Sequence, residues 1–310
     1  MENIPFFPSA DNSKPLHSWL LEQNQYRLKV RSFTKAPPEF TVQRISFEKD
    51  FDRYHSAYER GQTRCGTPGG GKRRLETESR DPESIERSAR RAKINLRLRV
   101  TELAPNHFVT FTTRESGPSY FTPDDWLSMW GCFVALLRTA GHDFQYVAVL
   151  ERHPSNPLHL HLHVAWRGNV NYKLLRRFWH IAICKQRGER VTKTLYGSES
   201  PGNIQDKPVK AQRGSFKQIR KIARYISKYM TKDAITAFNR KSYFSSKGID
   251  LQAARAYWLD SIDYVDAVRE ACMMLGQWDD LNGCAQKIFM PSDRIAWCAI
   301  DPERTPPPPF

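Results

Sequence analysis

The segment Pro157-Leu158-His159-Leu160-His161-Leu162-His163-Val164 alternates imidazole and aliphatic side chains without a break. Alternation is the period of a β-strand, whose successive side chains point to opposite faces. As a strand, the segment puts all three imidazoles on one face and turns the leucines and Val164 to the other. The chain is therefore expected to build a sheet with one apolar face under a core and one polar face able to hold chemistry. Two imidazoles at i and i+2 of a strand can ligate one cation through their neutral nitrogens.

A third ligand must come from a neighbouring strand. Tyr146 to Glu151 is apolar on both faces and reads as a central strand, and the Pro/Asn-rich turn His153 to Pro157 joins it to the histidine strand. That hairpin brings Glu151 alongside the imidazoles. His159 lies nearest the turn, so the expected ligands are His161, His163 and Glu151, with His159 a neighbour or alternative ligand. Two nitrogens and one carboxylate leave coordination positions open for water or a phosphate oxygen, as a Lewis acid requires.

The flanking segments give the fold. His107 to Thr113 is rich in β-branched and aromatic residues and reads as a strand. Thr122 caps a helix with Pro123 first and Asp124 and Asp125 in its opening turn, and Gly141 ends it. Asn171 caps a second helix through Leu174, Phe178 and Ile181, and an edge strand is expected near Asn203 to Val209. The order β-α-β-β-α-β predicts an α+β, ferredoxin-like split βαβ fold: a four- to five-stranded antiparallel sheet, helices on one face, flanking helical segments. The expected organisation is a basic, partly irregular region at 1–80, a central domain at 81–250, and a helical extension with a Pro-rich tail at 251–310.

The 310 residues carry a net charge of +15, which suits a polyanionic partner. No apolar run is long enough to span a membrane, and the N-terminus lacks the regions of a signal peptide. Six scattered cysteines form no zinc knuckle or disulfide frame, consistent with a cytoplasmic protein. Gly66 to Arg74 imitates a phosphate-binding loop, but Arg73 replaces the Ser or Thr and no apolar strand precedes it. It reads as a basic linker.

Two basic helices stand out. Residues 82–99 place Ile85, Ala89, Ala92 and Leu96 on one stripe, with Arg90, Arg91 and Lys93 among the cations around it. From Ser215, a second helix carries Phe216, Ile219, Ala223, Ile226 and Met230 on its apolar stripe. Tyr225 and Tyr229, one turn apart, lie at that stripe's polar edge. Between Gln205 and Lys232 there are nine Lys/Arg and one acid, Asp206. Lys217, Arg220, Lys221, Arg224 and Lys232 join Arg90, Arg91 and Lys93 as expected DNA-binding residues. Ammonium groups near a tyrosine favour its phenolate and hold a phosphate, as a nucleophile at phosphorus needs.

These residues resemble the HUH endonuclease superfamily. His161-Leu162-His163 resembles its histidine–hydrophobic–histidine motif, and Tyr225-Ile226-Ser227-Lys228-Tyr229 the two-tyrosine motif of rolling-circle replication initiators of phage gene A or plasmid type. Phe108 to Thr113 resembles their first strand motif. The resemblance implies a nicking-joining DNA endonuclease in the bacterial cytoplasm, dependent on Mg²⁺ or Mn²⁺. Its reaction forms a 5′-phosphotyrosine on single-stranded or origin DNA. Tyr225 and Tyr229 are the implied nucleophiles, His161 and His163 the ligands, and Lys228 a phosphate contact. Lacking a nucleotide-binding motif, such a chain would rely on a separate host helicase. Alternatives are a two-tyrosine transposase and a non-catalytic nucleic-acid-binding regulator.

Overall fold

Period-two alternation along three neighbouring segments dictates the sheet that carries the histidines. The computed structural model describes residues 25–45, 82–114, 120–153, 155–169, 171–190, 196–208, 216–228, 243–261, 263–276, 285–292 and 295–301. By contacts the chain divides into two units. One comprises Phe33–Ala36 and Ser79–Gln252; the other comprises Met1–Ser32, Pro37–Glu78 and Ala253–Phe310.

The unit holding the histidines has strands β3 (His107–Thr113), β4 (Phe144–His153), β5 (Asn156–Gly168), β6 (Gly202–Pro208) and β7 (Tyr243–Ser245). Its helices are α1 (Pro82–Leu103), α2 (Pro123–Thr139), α3 (Tyr172–Gln186) and α4 (Phe216–Ser227). The spatial order is β6-β3-β5-β4-β7, antiparallel throughout, so the first four strands form the expected split βαβ sheet. The short strand β7 adds a fifth.

Local chemistry sets the helix ends. Thr122 and Asp125 form a reciprocal capping box at the start of α2, with Pro123 at the first helical position. Gly141, at φ +79°, ends that helix. Asn171 caps α3 by accepting from the Leu174 N–H.

Side-chain parity then divides the sheet. Val109 and Phe111 of β3, Ala148 and Leu150 of β4, and Leu160, Leu162 and Val164 of β5 enter one core with α2 and α3. Phe111, fully buried, meets Trp130, Phe133 and Trp179 edge-on at 5.1–5.3 Å. The opposite face is partly covered as well. Phe108, Val147, Val149 and Ala165 pack with Leu96 and Val100 of α1 and Ala223 and Ile226 of α4. Helices thus lie on both faces, and the histidine end of the second face is the part left for chemistry.

The other unit corrects two expectations. Residues 1–80 are not irregular throughout: β1 (Gln25–Arg31) and β2 (Glu39–Ile45) form a hairpin, with Tyr26, Leu28, Val30, Phe40 and Val42 buried. Residues 251–310 are not a helical extension. They contain β8 (Arg255–Leu259), one helix α5 (Tyr264–Gly276), β9 (Ala285–Ser292) and β10 (Ile295–Asp301). The sheet order β8-β1-β2-β10-β9 explains the difference. Tyr257 and Leu259 reach strand geometry by pairing with Leu28 and Tyr26, more than 200 residues earlier, and long-range pairing overrides local propensity. The Gly66 to Arg74 run and the Pro306 to Pro309 tail lie outside the described residues.

Phe111→Ala should destabilise the protein by about 3–5 kcal/mol through its aromatic cavity. Urea unfolding would show this as a lower midpoint at unchanged slope.

Candidate functional site

The β4–β5 hairpin assembles the site by register alone. Glu151 pairs directly with His161, and Val149 with His163, while on the other side of β5 Thr112 pairs with His161 and Thr110 with His163. Directly opposed residues share a face. Glu151, His161 and His163 therefore converge, and one ligand atom from each lies within 4.8 Å of the other two. Ligand bonds of about 2.1 Å at about 90–110° set donor atoms roughly 3.0–3.4 Å apart, so this donor set fits one divalent cation with small rotamer adjustments. Two imidazoles and a carboxylate suit the borderline and hard divalent ions.

His163 is the most constrained of the three, with 5% of its surface exposed. Its Nε2 meets Glu151 Oε2 at 2.6 Å and its Nδ1 meets Thr110 Oγ1 at 3.1 Å. A partner on the second nitrogen fixes ring orientation and tautomer, which is how outer contacts tune a ligating imidazole. Thr110 was not among the expected residues, yet its place on the strand facing His163 gives it this role. His161 is less buried. Desolvation, then the neighbouring His159, His163 and His153, lower its pKa to about 4. It is therefore neutral near pH 7, with a lone pair to offer.

His159 lies beside this set, its ring centroid 5.0 Å from that of His161. His153 completes a row of four imidazoles at 5.1 Å from His161. It was missed, although it stands two residues after Glu151 and so had to share its face.

The tyrosine helix reaches the same face. α4 buries Ile219, Ala223 and Ile226 and leaves Lys221 and Arg224 exposed, as is Lys228 just past its end. Tyr225 is 42% exposed, and its ring lies 6.3 Å from His163. Between them stands Phe108, stacked on His163 at 5.8 Å and edge-on to Tyr225 at 5.4 Å. Phe108 positions the helix tyrosine against the strand histidine, a role that its β-propensity alone does not reveal.

Arg220 is half-buried on α4, and Lys217 belongs to its first turn. Arg90, Arg91 and Lys93 are exposed on α1, where Arg90 also pairs with Glu86 at 3.8 Å. Tyr229 and Lys232 lie outside the described residues. No helix among the described residues is long and apolar enough to cross a membrane. Cys132, Cys184 and Cys272 are free.

Two measurements check the site. His161→Ala, His163→Ala and Glu151→Gln should each weaken Mn²⁺ binding at least ~10-fold by calorimetry, and Thr110→Val by about 10–100-fold, with the far-UV spectrum unchanged. An NMR titration of the metal-free protein should find the His161 midpoint near pH 4. The unfolded imidazole takes its proton near 6.5, so this group withdraws stability as pH falls through that window.

No curated protein and no solved structure matches the chain. A family comparison does: residues 106–234, which run from the start of β3 past the tyrosine helix, are similar to the family of replication-associated protein ORF2.

Proposed function

We propose that residues 81–250 form an HUH-type nuclease domain, which nicks and rejoins single-stranded DNA to initiate rolling-circle replication. The observation that carries this reading is the placement of Tyr225 6.3 Å from His163, one of three side chains converging as a cation site. A nucleophile and a phosphate-polarising centre side by side are what one phosphoryl-transfer reaction requires. The match of residues 106–234 to a replication-associated family points the same way.

A divalent cation, Mg²⁺ or Mn²⁺, held by Glu151, His161 and His163 supplies Lewis acidity to a phosphodiester oxygen. The rest belongs to the chain. Glu151 offsets the positive charge of the centre, and Thr110 keeps the His163 ring aligned. Exposed Lys221, Arg224 and Lys228, with Lys217, Arg220 and Lys232, draw the DNA backbone to the tyrosine. Arg90, Arg91 and Lys93 extend this basic surface along α1. Tyr225 Oη attacks phosphorus, its P–O bond forming as the P–O3′ bond breaks. The phenol's proton passes to solvent, and the leaving 3′-oxygen takes one from solvent. The product is a 5′-phosphotyrosine and a free 3′-OH able to prime synthesis. Tyr229, one helical turn on, then attacks the regenerated junction, and the released 3′-OH closes the circle. Strand separation is assigned to a separate helicase.

A two-tyrosine transposase would use the same side chains; the replication-associated match favours the replication role. A non-catalytic regulator predicts binding without cleavage.

The test is adduct formation on labelled single-stranded origin DNA with Mn²⁺, resolved on a denaturing gel. Tyr225→Phe/Tyr229→Phe should lower adduct yield by at least ~1000-fold. EDTA should abolish the reaction and added Mn²⁺ restore it. A persistent adduct in the double variant would refute the mechanism.

A further inference from the structure

A second feature lies at the opposite end of the histidine row from Tyr225. A cavity of about 490 Å³ opens where β6 begins, lined by Thr112, Arg114, His159, Arg176 and Asn203 among others. Its position follows from register. Tyr225 packs on Phe108, which pairs with Ala165, beyond His163. The cavity sits at the level of Thr112, which pairs with His161 on one side and Asn203 on the other, and it reaches His159. Successive same-face residues of a strand are about 6.6 Å apart. The order along β5 is therefore tyrosine, His163, His161, His159, cavity.

The cavity wall is built to hold its shape. Fully buried His180 turns its Nε2–H to the Gly202 carbonyl at 3.2 Å, and Ser200 Oγ–H donates to the same oxygen. A Cβ on Gly202 would stand 2.4 Å from the Thr112 carbonyl and 2.6 Å from Ile183 Cδ1. Only glycine fits where β6 meets β3 this closely.

Its chemistry is that of a nucleotide site. The Arg176 guanidinium lies 4.8 Å over the ring of Tyr196, which is 60% exposed. Such a pair offers a planar cation and a π-face to a base. The buried Arg176 Nε has no hydrogen-bond partner among the described residues. Asn203 Oδ1 accepts from the Ile204 N–H, which leaves the side-chain NH₂ to donate. Arg114, whose Nη1 donates to the Gly197 carbonyl at 3.1 Å, adds positive charge.

We infer that this cavity holds the nucleotide whose 3′-oxygen leaves when the tyrosine attacks. The inference rests on the proposed nicking reaction. In phosphoryl transfer the attacking and leaving oxygens lie roughly in line. A tyrosine arriving from the His163 end expels its leaving group toward the His159 end, where the cavity begins. The nucleotide 5′ of the nick is stacked and read there by Arg176, Tyr196 and Asn203. The same contacts retain the freed 3′-OH strand for the joining step, in which that hydroxyl attacks the phosphotyrosine and releases the phenol.

The test uses the full chain, Mn²⁺ and a pool of randomised single-stranded 40-mers, with sequencing of the released 3′ ends. The unsubstituted protein should show a base preference at the 3′-terminal nucleotide. Tyr196→Ala, a change at an exposed ring, should flatten that preference and leave positions on the phosphotyrosine side unaltered. Arg176→Lys, which keeps the charge and loses the planar stack, should do the same. An unchanged 3′-terminal preference in both variants, or a change confined to the phosphotyrosine side, overturns the inference. Fluorescence polarisation of a labelled randomised 12-mer without metal separates the two readings. Each variant should bind ~10-fold more weakly, the scale of one lost stacked base. If the unsubstituted protein cuts nothing but this loss is seen, the nicking reaction fails and the nucleotide site stands. Unchanged binding removes the site.

Discussion

The antiparallel register between β4 and β5 is the constraint on which the site depends. Glu151 opposes His161, and Val149 opposes His163, because the hairpin turn fixes which residues face each other. A slip of one residue would turn the imidazoles into the aromatic core around Trp130 and Trp166 and expose the leucines. Burial of Leu160, Leu162 and Val164 against α2 and α3 forbids that slip. The hydrophobic face of the strand thereby determines the chemistry of its opposite face. No ligand needs its own structural device; each inherits its place from an aliphatic neighbour.

The nucleophile is placed by a different mechanism. Tyr225 belongs to α4, which docks through Ala223 and Ile226 on a surface shared by α1 and the sheet. Phe108 connects the two systems, with one face on His163 and its edge region against Tyr225. Ligand geometry is thus a property of a hairpin, and tyrosine geometry a property of helix packing. One aromatic ring carries the alignment between them.

Much of this was legible in the sequence because its causes are local. The alternation at 157–164, the capping box at Thr122 and Asp125, and the Asn171 cap each depend on residues a few positions apart. The triad of Glu151, His161 and His163 was legible because a tight hairpin converts sequence distance into register. His153 was equally accessible by parity with Glu151. Thr110 and Phe108 were not, since the partnership of β3 with β5 spans 53 residues at the Thr110–His163 contact and nothing local announces it. The sheet of β1, β2, β8, β9 and β10 failed for the same reason on a larger scale: its halves come from opposite ends of the chain. Arg176 looked like one cation on a solvated helix face until β6 was laid beside it.

The two faces of β5 also separate the selective pressures on one short strand. Even-numbered residues from Leu160 to Trp166 lie in the core and are judged by volume. Odd-numbered residues from His159 to His163 lie on the working face and are judged by the atoms they present. A change in packing that keeps the register leaves the donor set in place, and a change of donor leaves the core intact. Stability and chemistry can therefore drift separately through a lineage, although they are written in alternate letters of the same eight-residue word.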